Sequence, residues 1–263
     1  MIREAELFVM AEQVLVEVIG RIRHEHWRIV VPAMFDMPGA DLALRMKPLV
    51  NHYAYDDSWV PDLLAGRTME DVGKDRFDGD LLGSDAAAAV ARISGPACAA
   101  AAEVTDGDAI VHCSFGDVAA RDYFWQLNIA RCFLAHDVAM HLGSRACPLT
   151  EELARGMWEG TAPRAEAWRS IGIFREPIEP VPADVSWRDR FLMMAGRDPH
   201  PLVEHWPSRS RSARRRHFLD QDRSVFVVDA EPDRQTQPAV DLAEAEGSEP
   251  PVPPGLSLRR PPG

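Results

Sequence analysis

The strongest constraint on the fold is a helical spacing of apolar residues that recurs in several long segments. Between residues 5 and 23 the apolar side chains follow one another at steps of three and four residues, which places them on one face of an α-helix. This first stripe consists of Leu7, Phe8, Ala11, Val14, Leu15, Val18, Ile19 and Ile22. Similar patterns predict a second helix over 44–64, a third over the alanine-rich stretch 86–103 and a fourth over 122–142. We expect the first of these helices to be the longest.

Helix-capping residues predict two more helices after the fourth. Thr150 precedes two glutamates and is expected to cap a helix that runs to about residue 167, and Ser186 is expected to cap a helix over 187–195. Segments 32–41 and 66–85 are rich in Gly, Pro or Asp and are typical of connections. Little beyond 109–115 has an extended pattern, and the chain has no GxGxxG, P-loop or GxSxG motif. The sequence therefore predicts an all-α fold, a four-helix bundle with extra C-terminal helices, rather than an α/β enzyme.

Charge and hydropathy restrict the partners of this chain. The formal net charge of −12 is expected to repel nucleic acids and anionic membranes. No apolar run approaches the eighteen residues of a membrane span, and acids occupy the positions where a signal peptide would be basic. The four cysteines stand far apart without a CxxC pair, which favours reduced thiols over a disulfide framework. We therefore expect a cytoplasmic protein with no nucleic-acid or membrane partner.

The composition changes beyond residue 199. Ten of the 21 prolines fall in 200–263, beside an arginine cluster at 209–216 and an acidic, proline-rich stretch at 241–254. Such a composition lacks the apolar residues that build a core. The sequence therefore predicts a helical domain over 1–199 and a disordered tail over 200–263.

Several ordered stretches of the first 199 residues resemble a known family. They are Leu49-Val-Asn-His52, Trp59-Val-Pro-Asp-Leu-Leu-Ala-Gly-Arg67, Phe77-Asp-Gly-Asp-Leu-Leu-Gly83, Val111-His-Cys-Ser-Phe-Gly-Asp117, Asp122-Tyr-Phe-Trp-Gln-Leu127, Asp137-Val-Ala139 and Gly196-Arg-Asp-Pro199. In this order they resemble the DinB-like, N-terminal domain of mycothiol-dependent maleylpyruvate isomerases. The resemblance covers about three quarters of the chain, although no single motif is specific.

The resemblance implies an up-down-down-up four-helix bundle and a divalent metal, zinc or similar. In that family a histidine of the second helix and an acid-x-x-x-His pair of the fourth helix hold the ion. Residues four apart project from one helix face, so such a pair can converge on one metal. Open coordination positions would then activate mycothiol or another low-molecular-weight thiol. The implied function is a metal- and thiol-dependent transferase or isomerase that acts on a small organic molecule.

This sequence departs from the family at the implied metal site. His52 matches the ligand of the second helix, but an ungapped alignment of 122–143 puts Ala130 at the acid position and Leu134 at the histidine position. Neither side chain can bind a metal, and a lone histidine holds an ion weakly. The sequence therefore predicts that the usual site is incomplete.

Two other pairs on the fourth helix have the same spacing. Asp137 and His141 lie near the face of Ala130 and Leu134, roughly 10 Å further along the axis, and would form a relocated site. Cys132 and His136 are rotated away from that face, and are the weaker alternative. Asp56, four residues after His52, is a candidate acid for the same cleft. The structural alternative is that these residues are ordinary helix residues, with Asp137 bonded to backbone or to Arg131.

Two functional classes follow from these observations. The first is the metal- and thiol-dependent enzyme centred on His52. The second is a non-catalytic small-molecule-binding or accessory bundle, because apolar residues at 130 and 134 remove the need for an ion. A small-molecule substrate or ligand is the expected partner in both classes. The catalytic residues, the substrate and the formation of a homodimer stay open at this point.

Overall fold

The computed structural model describes residues 1–36, 44–144 and 147–201, and this part of the chain is mostly helical. The helices are α1 (Arg3–Ile19), α2 (Met46–Leu64), α3 (Met69–Val72), α4 (Ala86–Ala102), α5 (Ala120–His141), α6 (Glu151–Thr161), α7 (Ala165–Ser170) and α8 (Trp187–Met194). The strands are β1 (Val30–Val31), β2 (Leu44–Arg45), β3 (Ile110–Cys113) and β4 (Gly116–Ala119), and 3-10 helices cover His24–Arg28 and Ala162–Arg164. The all-α prediction is therefore confirmed at the level of fold class.

The four long predicted helices correspond to α1, α2, α4 and α5, with ends that shift by a few residues. The expected order of lengths is wrong, because α5 has 22 residues and α1 has 17. The helix predicted to run from Thr150 to about residue 167 ends at Thr161. Pro163 follows at once and cannot donate a helical hydrogen bond, so the chain passes through a 3-10 turn before α7 begins.

Side-chain caps fix the starts of α4, α6 and α8. The Thr150 hydroxyl accepts from the Leu153 amide at the start of α6, and the Ser186 hydroxyl accepts from the Asp189 amide at the start of α8. Asp85 caps α4 in the same way through the Ala88 amide. These contacts satisfy donors that the first helical turn leaves unpaired, which confirms both caps predicted from the sequence.

Helix packing places α5 against α1, which also contacts α4, while α2 packs on α4. Most of α5 is buried on every side, and its interior includes the side chains of Phe124, Ile129 and Phe133. A helix buried all round needs neighbours on several faces, which explains why its apolar pattern is less one-sided than that of α1. The core of the described residues therefore lies around α5.

Helix α6 packs closely against this core through small residues. Gly156 and Gly160 of α6 leave no room for a Cβ, because Leu7 of α1 and Trp125 of α5 occupy that space. Close approach of this kind needs glycine on the contacting face. The helix α6 also packs against α8, and Phe191 of α8 stacks on Phe133 of α5 with ring centroids 5.7 Å apart.

Two short antiparallel ladders complete the described structure. Strand β1 pairs with β2, and β3 pairs with β4 in a hairpin that registers Val111 with Val118. The extended segment predicted at 109–115 is therefore the first half of a hairpin. The connection predicted at 66–85 also contains the short helix α3, whose start Thr68 caps through the Asp71 amide.

None of the helices in the described ranges is both long and apolar enough to cross a membrane. Part of the predicted connection 32–41 and nearly all of the predicted tail 200–263 lie outside the described residues. The tail stays a prediction from composition.

Candidate functional site

A fully buried ion-pair network joins the four long helices. Arg131 of α5 pairs through Nε with Glu12 of α1 and through Nη2 with Asp57 of α2. Ser94 of α4 donates its hydroxyl to the other Glu12 oxygen at 2.9 Å. The Arg131 guanidinium also lies 5.1 Å from the centroid of the Phe8 ring. Each long helix thus contributes one polar side chain to a shared interior cluster, which we call the Arg131 network (Glu12, Asp57, Ser94 and Arg131).

The charges of the Arg131 network depend on one another. Burial alone would lower the pKa of Arg131, yet Asp57 and Glu12 raise it above its ordinary value, so the guanidinium stays charged. Burial, together with the negative charge of Glu12, raises the pKa of Asp57 well above its usual range despite the opposing effect of Arg131. Two carboxylates share one cation here, and removal of that cation would leave buried negative charge without a partner.

A second polar cluster lies where α2, α5 and the chain after α8 meet. The Tyr53 hydroxyl donates to Met34 Sδ at 3.2 Å, and burial raises the pKa of Tyr53. The charges of Asp56 and Asp137 raise that pKa further, whereas those of Arg131 and Arg197 oppose them. Arg131 belongs to the network described above. We call the remaining group, together with His52, the Tyr53 cluster (His52, Tyr53, Asp56, Asp137 and Arg197).

In the Tyr53 cluster the two carboxylates are partly exposed, whereas the guanidinium of Arg197 is buried. The side chains of Asp56 and Asp137 are each 23% exposed, whereas that of Arg197 is 3% exposed. The Arg197 guanidinium lies 3.5 Å from the centroid of the Phe133 ring, and its Nη2 donates to the Met34 carbonyl at 2.7 Å. Tyr53 and Arg197 therefore both bond to Met34, one through its sulfur and the other through its carbonyl.

Arg197 is incompletely paired for a buried cation. Its Nε lies 3.7 Å from Asp137 Oδ1, and within the described residues neither Nε nor Nη1 has a hydrogen-bond partner. Burial lowers the pKa of Arg197 to about 10, against the opposing effect of Asp137. Buried donors without acceptors cost roughly 1–3 kcal/mol each, so this guanidinium has capacity for a further acceptor.

Gly196 explains how Arg197 reaches this position. Its φ of +72° is one that side-chain-bearing residues rarely adopt, and a Cβ there would meet the Glu176 carbonyl and Arg175. The turn directs Arg197 toward α5, while Arg175 donates to the Ala33 carbonyl at 2.9 Å. Arg175 and Arg197 thus hold the 33–34 backbone against the chain around α8.

The structure brings His52 and Asp56 together, as their spacing predicts. His52 Nε2 lies 3.7 Å from Asp56 Oδ2, and the imidazole is 23% exposed. The His52 ring also makes an edge contact with the Tyr53 ring, with centroids 5.8 Å apart. His52 therefore borders the Tyr53 cluster beside a carboxylate.

Asp137 and His141, the predicted relocated metal ligands, have different contacts. Asp137 belongs to the Tyr53 cluster, and the nearby arginine is Arg197 rather than Arg131, whose partners are Glu12 and Asp57. The His141 Nδ1 atom lies 2.7 Å from the Asp137 carbonyl of its own helix. Burial lowers the pKa of His141, although this backbone contact opposes the shift. Asp137 therefore acts on His141 both through its backbone carbonyl and through the charge of its carboxylate.

The donor set does not fit the metal implied by the resemblance. Ala130 and Leu134 are buried apolar residues, with 4% and 0% of their surface exposed. Across residues 1–36, 44–144 and 147–201, no three His, Cys, Asp or Glu side chains form a group that could hold a metal ion. Cys132 and His136 are both buried, and burial raises the pKa of that thiol and lowers the pKa of that imidazole. His52 with Asp56 is the pair that the family's histidine position offers here.

Sequence reasoning missed Tyr53 and the role of Arg197. Arg197 stood in the Gly-Arg-Asp-Pro motif, and a glycine before an arginine is a signal for an unusual turn. The Arg131 network was also missed, because its ion pairs join residues 74 and 119 positions apart. A single sequence does not reveal such distant partners.

No protein-family model, curated protein or solved structure matches this chain.

Proposed function

We propose that the four long helices form a DinB-like bundle and that the domain binds a small organic molecule at the Tyr53 cluster without the family's three-ligand metal site. One observation carries the proposal: His52 and Asp56 of α2 and Asp137 of α5 are all partly exposed, the His52 ring contacts the buried Tyr53 ring, and both carboxylates raise the Tyr53 pKa. Ligand sites in helical bundles combine a few such groups with apolar walls between facing helices.

The apolar residues near this cluster support binding rather than metal chemistry. Ala130 and Leu134 fill the positions of two family ligands, and Phe35 packs on Phe133 with ring centroids 6.3 Å apart. A site with these walls suits the apolar part of an organic molecule. The half-buried polar groups would fix its orientation through hydrogen bonds. In this proposal the domain is an accessory or ligand-sensing module.

A fragment screen on the full chain by ligand-detected NMR tests the proposal. In protein-observed spectra, hits that bind here should shift the side-chain signals of His52 and Met34. His52→Trp should abolish their binding by placing a larger side chain against Tyr53. His24→Trp is the matched control, since His24 is exposed after α1. Saturable hits that His52→Trp removes and His24→Trp spares would support the proposal. A complete lack of hits, or equal effects of both variants, would contradict it.

A second candidate is the metal- and thiol-dependent transferase or isomerase, and the His52–Asp56 pair favours it. A carboxylate beside an imidazole orients it for proton transfer. In this scheme a thiol adds across an activated carbon–carbon double bond, while His52 takes the thiol proton and delivers it to the neighbouring carbon. Reversal of that addition would give isomerisation without net consumption of thiol.

The enzymatic candidate has its own assay. The full chain is supplied with zinc, mycothiol and a small unsaturated acid, and product formation is followed by chromatography. Turnover that His52→Ala abolishes and His24→Ala preserves would favour the enzyme. Product at the uncatalysed rate would leave the binding module as the function that the site supports.

A further inference from the structure

The Tyr53 cluster contains a cation that is held rigidly but not fully paired. Of the three nitrogens of the Arg197 guanidinium, Nη2 is bonded to the Met34 carbonyl and Nε points toward Asp137 at 3.7 Å. Among the described residues Nη1 has no hydrogen-bond partner. We propose that Arg197 Nη1 binds a carboxylate group of the small molecule that occupies the Tyr53 cluster, an inference that rests on the proposed function.

The position of Arg197 is fixed before any ligand arrives. The Arg197 guanidinium carbon lies over the Phe133 ring, 3.5 Å from its centroid, and Nη2 is bonded to the Met34 carbonyl. A donor held in this way loses little conformational freedom when it binds an acceptor. The free Nη1 atom is thus a preorganised hydrogen-bond donor.

The positive charge of Arg197 favours an anion over a neutral acceptor. Burial and Arg175 lower the pKa of Arg197, whereas Asp137, Tyr53 and Asp36 raise it. Asp36 is already engaged, since Arg175 Nε lies 3.3 Å from its Oδ2. Asp137 is then the main counter-charge of Arg197, beyond hydrogen-bond distance. Charge-assisted bonds between a guanidinium and a carboxylate are roughly twice as strong as neutral ones, and a low-dielectric site increases the difference.

Acetate and acetamide provide a matched pair of probes, since they have nearly the same size and differ in charge. The full chain is titrated with each, and the side-chain ¹⁵N and ¹H signals of its arginines are followed by NMR. We expect acetate to shift the Arg197 signals saturably, with an affinity at least about tenfold higher than that of acetamide. Arg197→Gln should remove this preference. Arg21→Gln should retain it, because Arg21 is an exposed arginine that pairs with Glu17 on α1.

Asp137→Asn keeps the test decisive if Arg197→Gln fails to fold. This variant removes the competing carboxylate and leaves Arg197 in place, so acetate affinity should increase severalfold. Equal affinities for acetate and acetamide, unmoved Arg197 signals, or an unchanged affinity in Asp137→Asn would each overturn the inference.

The acetate titration and the fragment screen test the two proposals separately. Acetate binding at Arg197 together with a fragment screen that yields no hits would uphold the anion site and contradict the organic-ligand site. Fragment hits without charge preference would do the reverse.

Discussion

At the scale of single residues, Arg131 is a cation with none of its side chain exposed to solvent. It is the one cation of a network that includes the buried carboxylates of Glu12 and Asp57. Replacement by Met would fill similar space but leave both carboxylates without a counter-charge. We expect Arg131→Met to lower the free energy of unfolding by about 3–5 kcal/mol, measured by urea denaturation of the full chain.

A compensated variant separates charge from packing in this network. Glu12→Gln and Asp57→Asn, combined with Arg131→Met, remove all three charges, and we expect much of the lost stability to return. Arg21→Met, at an exposed ion pair, should leave the unfolding midpoint unchanged. If Arg131→Met proved as stable as the parent chain, the network would not have the role assigned to it.

The buried imidazole of His136 should make the unfolding free energy of the chain depend on pH. Burial lowers its pKa from a usual value near 6.5, with Asp137 and Asp198 opposing the shift and Arg197 reinforcing it. The unfolded chain then binds more protons than the folded chain below about pH 6.5, so stability is full above that pH and is lost as the pH falls toward the folded pKa. His136→Gln should flatten the dependence of unfolding free energy between about pH 7 and 5.

His141 shares the direction of this shift and contributes to the same window. The double variant His136→Gln, His141→Gln should therefore be flatter than either single variant. His24→Gln, at an exposed position, serves as the control. If the slope of unfolding free energy against pH were the same in these variants as in the parent chain, this interpretation would be refuted.

At the scale of elements, α6 depends on glycine where it crosses α5. A methyl group at Gly160 would collide with the Trp125 ring, which is itself 5% exposed. We expect Gly160→Ala to destabilise the chain by about 1–3 kcal/mol in thermal or urea unfolding, despite the better helix propensity of alanine.

Gly95 of α4 is a contrasting position, because apart from its chain neighbours and its own helix backbone no atom lies within 4 Å of a Cβ built there. Gly95→Ala should cost less stability than Gly160→Ala, since its Cβ meets the adjacent Pro96 rather than a buried ring. An equal loss of stability for both substitutions would show that α6 and α5 do not approach closely at Gly160.

Elements were predictable where their signals are local. The stripe of α1 and the caps at Thr150 and Ser186 depend on residues a few positions apart, so the sequence was sufficient to find them. The break before α7 also has a local signal in Pro163, which the predicted helix to residue 167 ignored. Of the hairpin formed by β3 and β4, only the first strand was predicted from the sequence.

The site was less predictable because it is assembled from distant segments. His52 and Asp56 share one helix and could be paired from their spacing. Tyr53, Asp137 and Arg197 meet only through folding, and Arg197 lies 163 residues from the Met34 carbonyl that accepts its hydrogen bond. The metal positions that the resemblance implied lie on α2 and α5, so they gave no indication of a role for the chain after α8.

At the scale of the whole molecule, composition predicts that residues beyond 201 are dispensable for the stability of the helical domain. They are rich in proline and nearly balanced in charge, with nine arginines against ten acids from residue 200 onward. A chain that stops at Pro201 should unfold within about 1 °C of the full chain in calorimetry, since ordered core contacts would be unaffected. A much lower midpoint would show that the tail docks on the domain.

The central claim is that the Tyr53 cluster binds a ligand without the three-ligand metal site. Elemental mass spectrometry of the full chain, grown with ample zinc, nickel and iron and purified without a chelating tag, tests it most directly. The account predicts far less than one ion per chain and no change in metal content in His52→Ala. One tightly bound ion per chain, lost in His52→Ala, would contradict the account and establish a metal centre at this position.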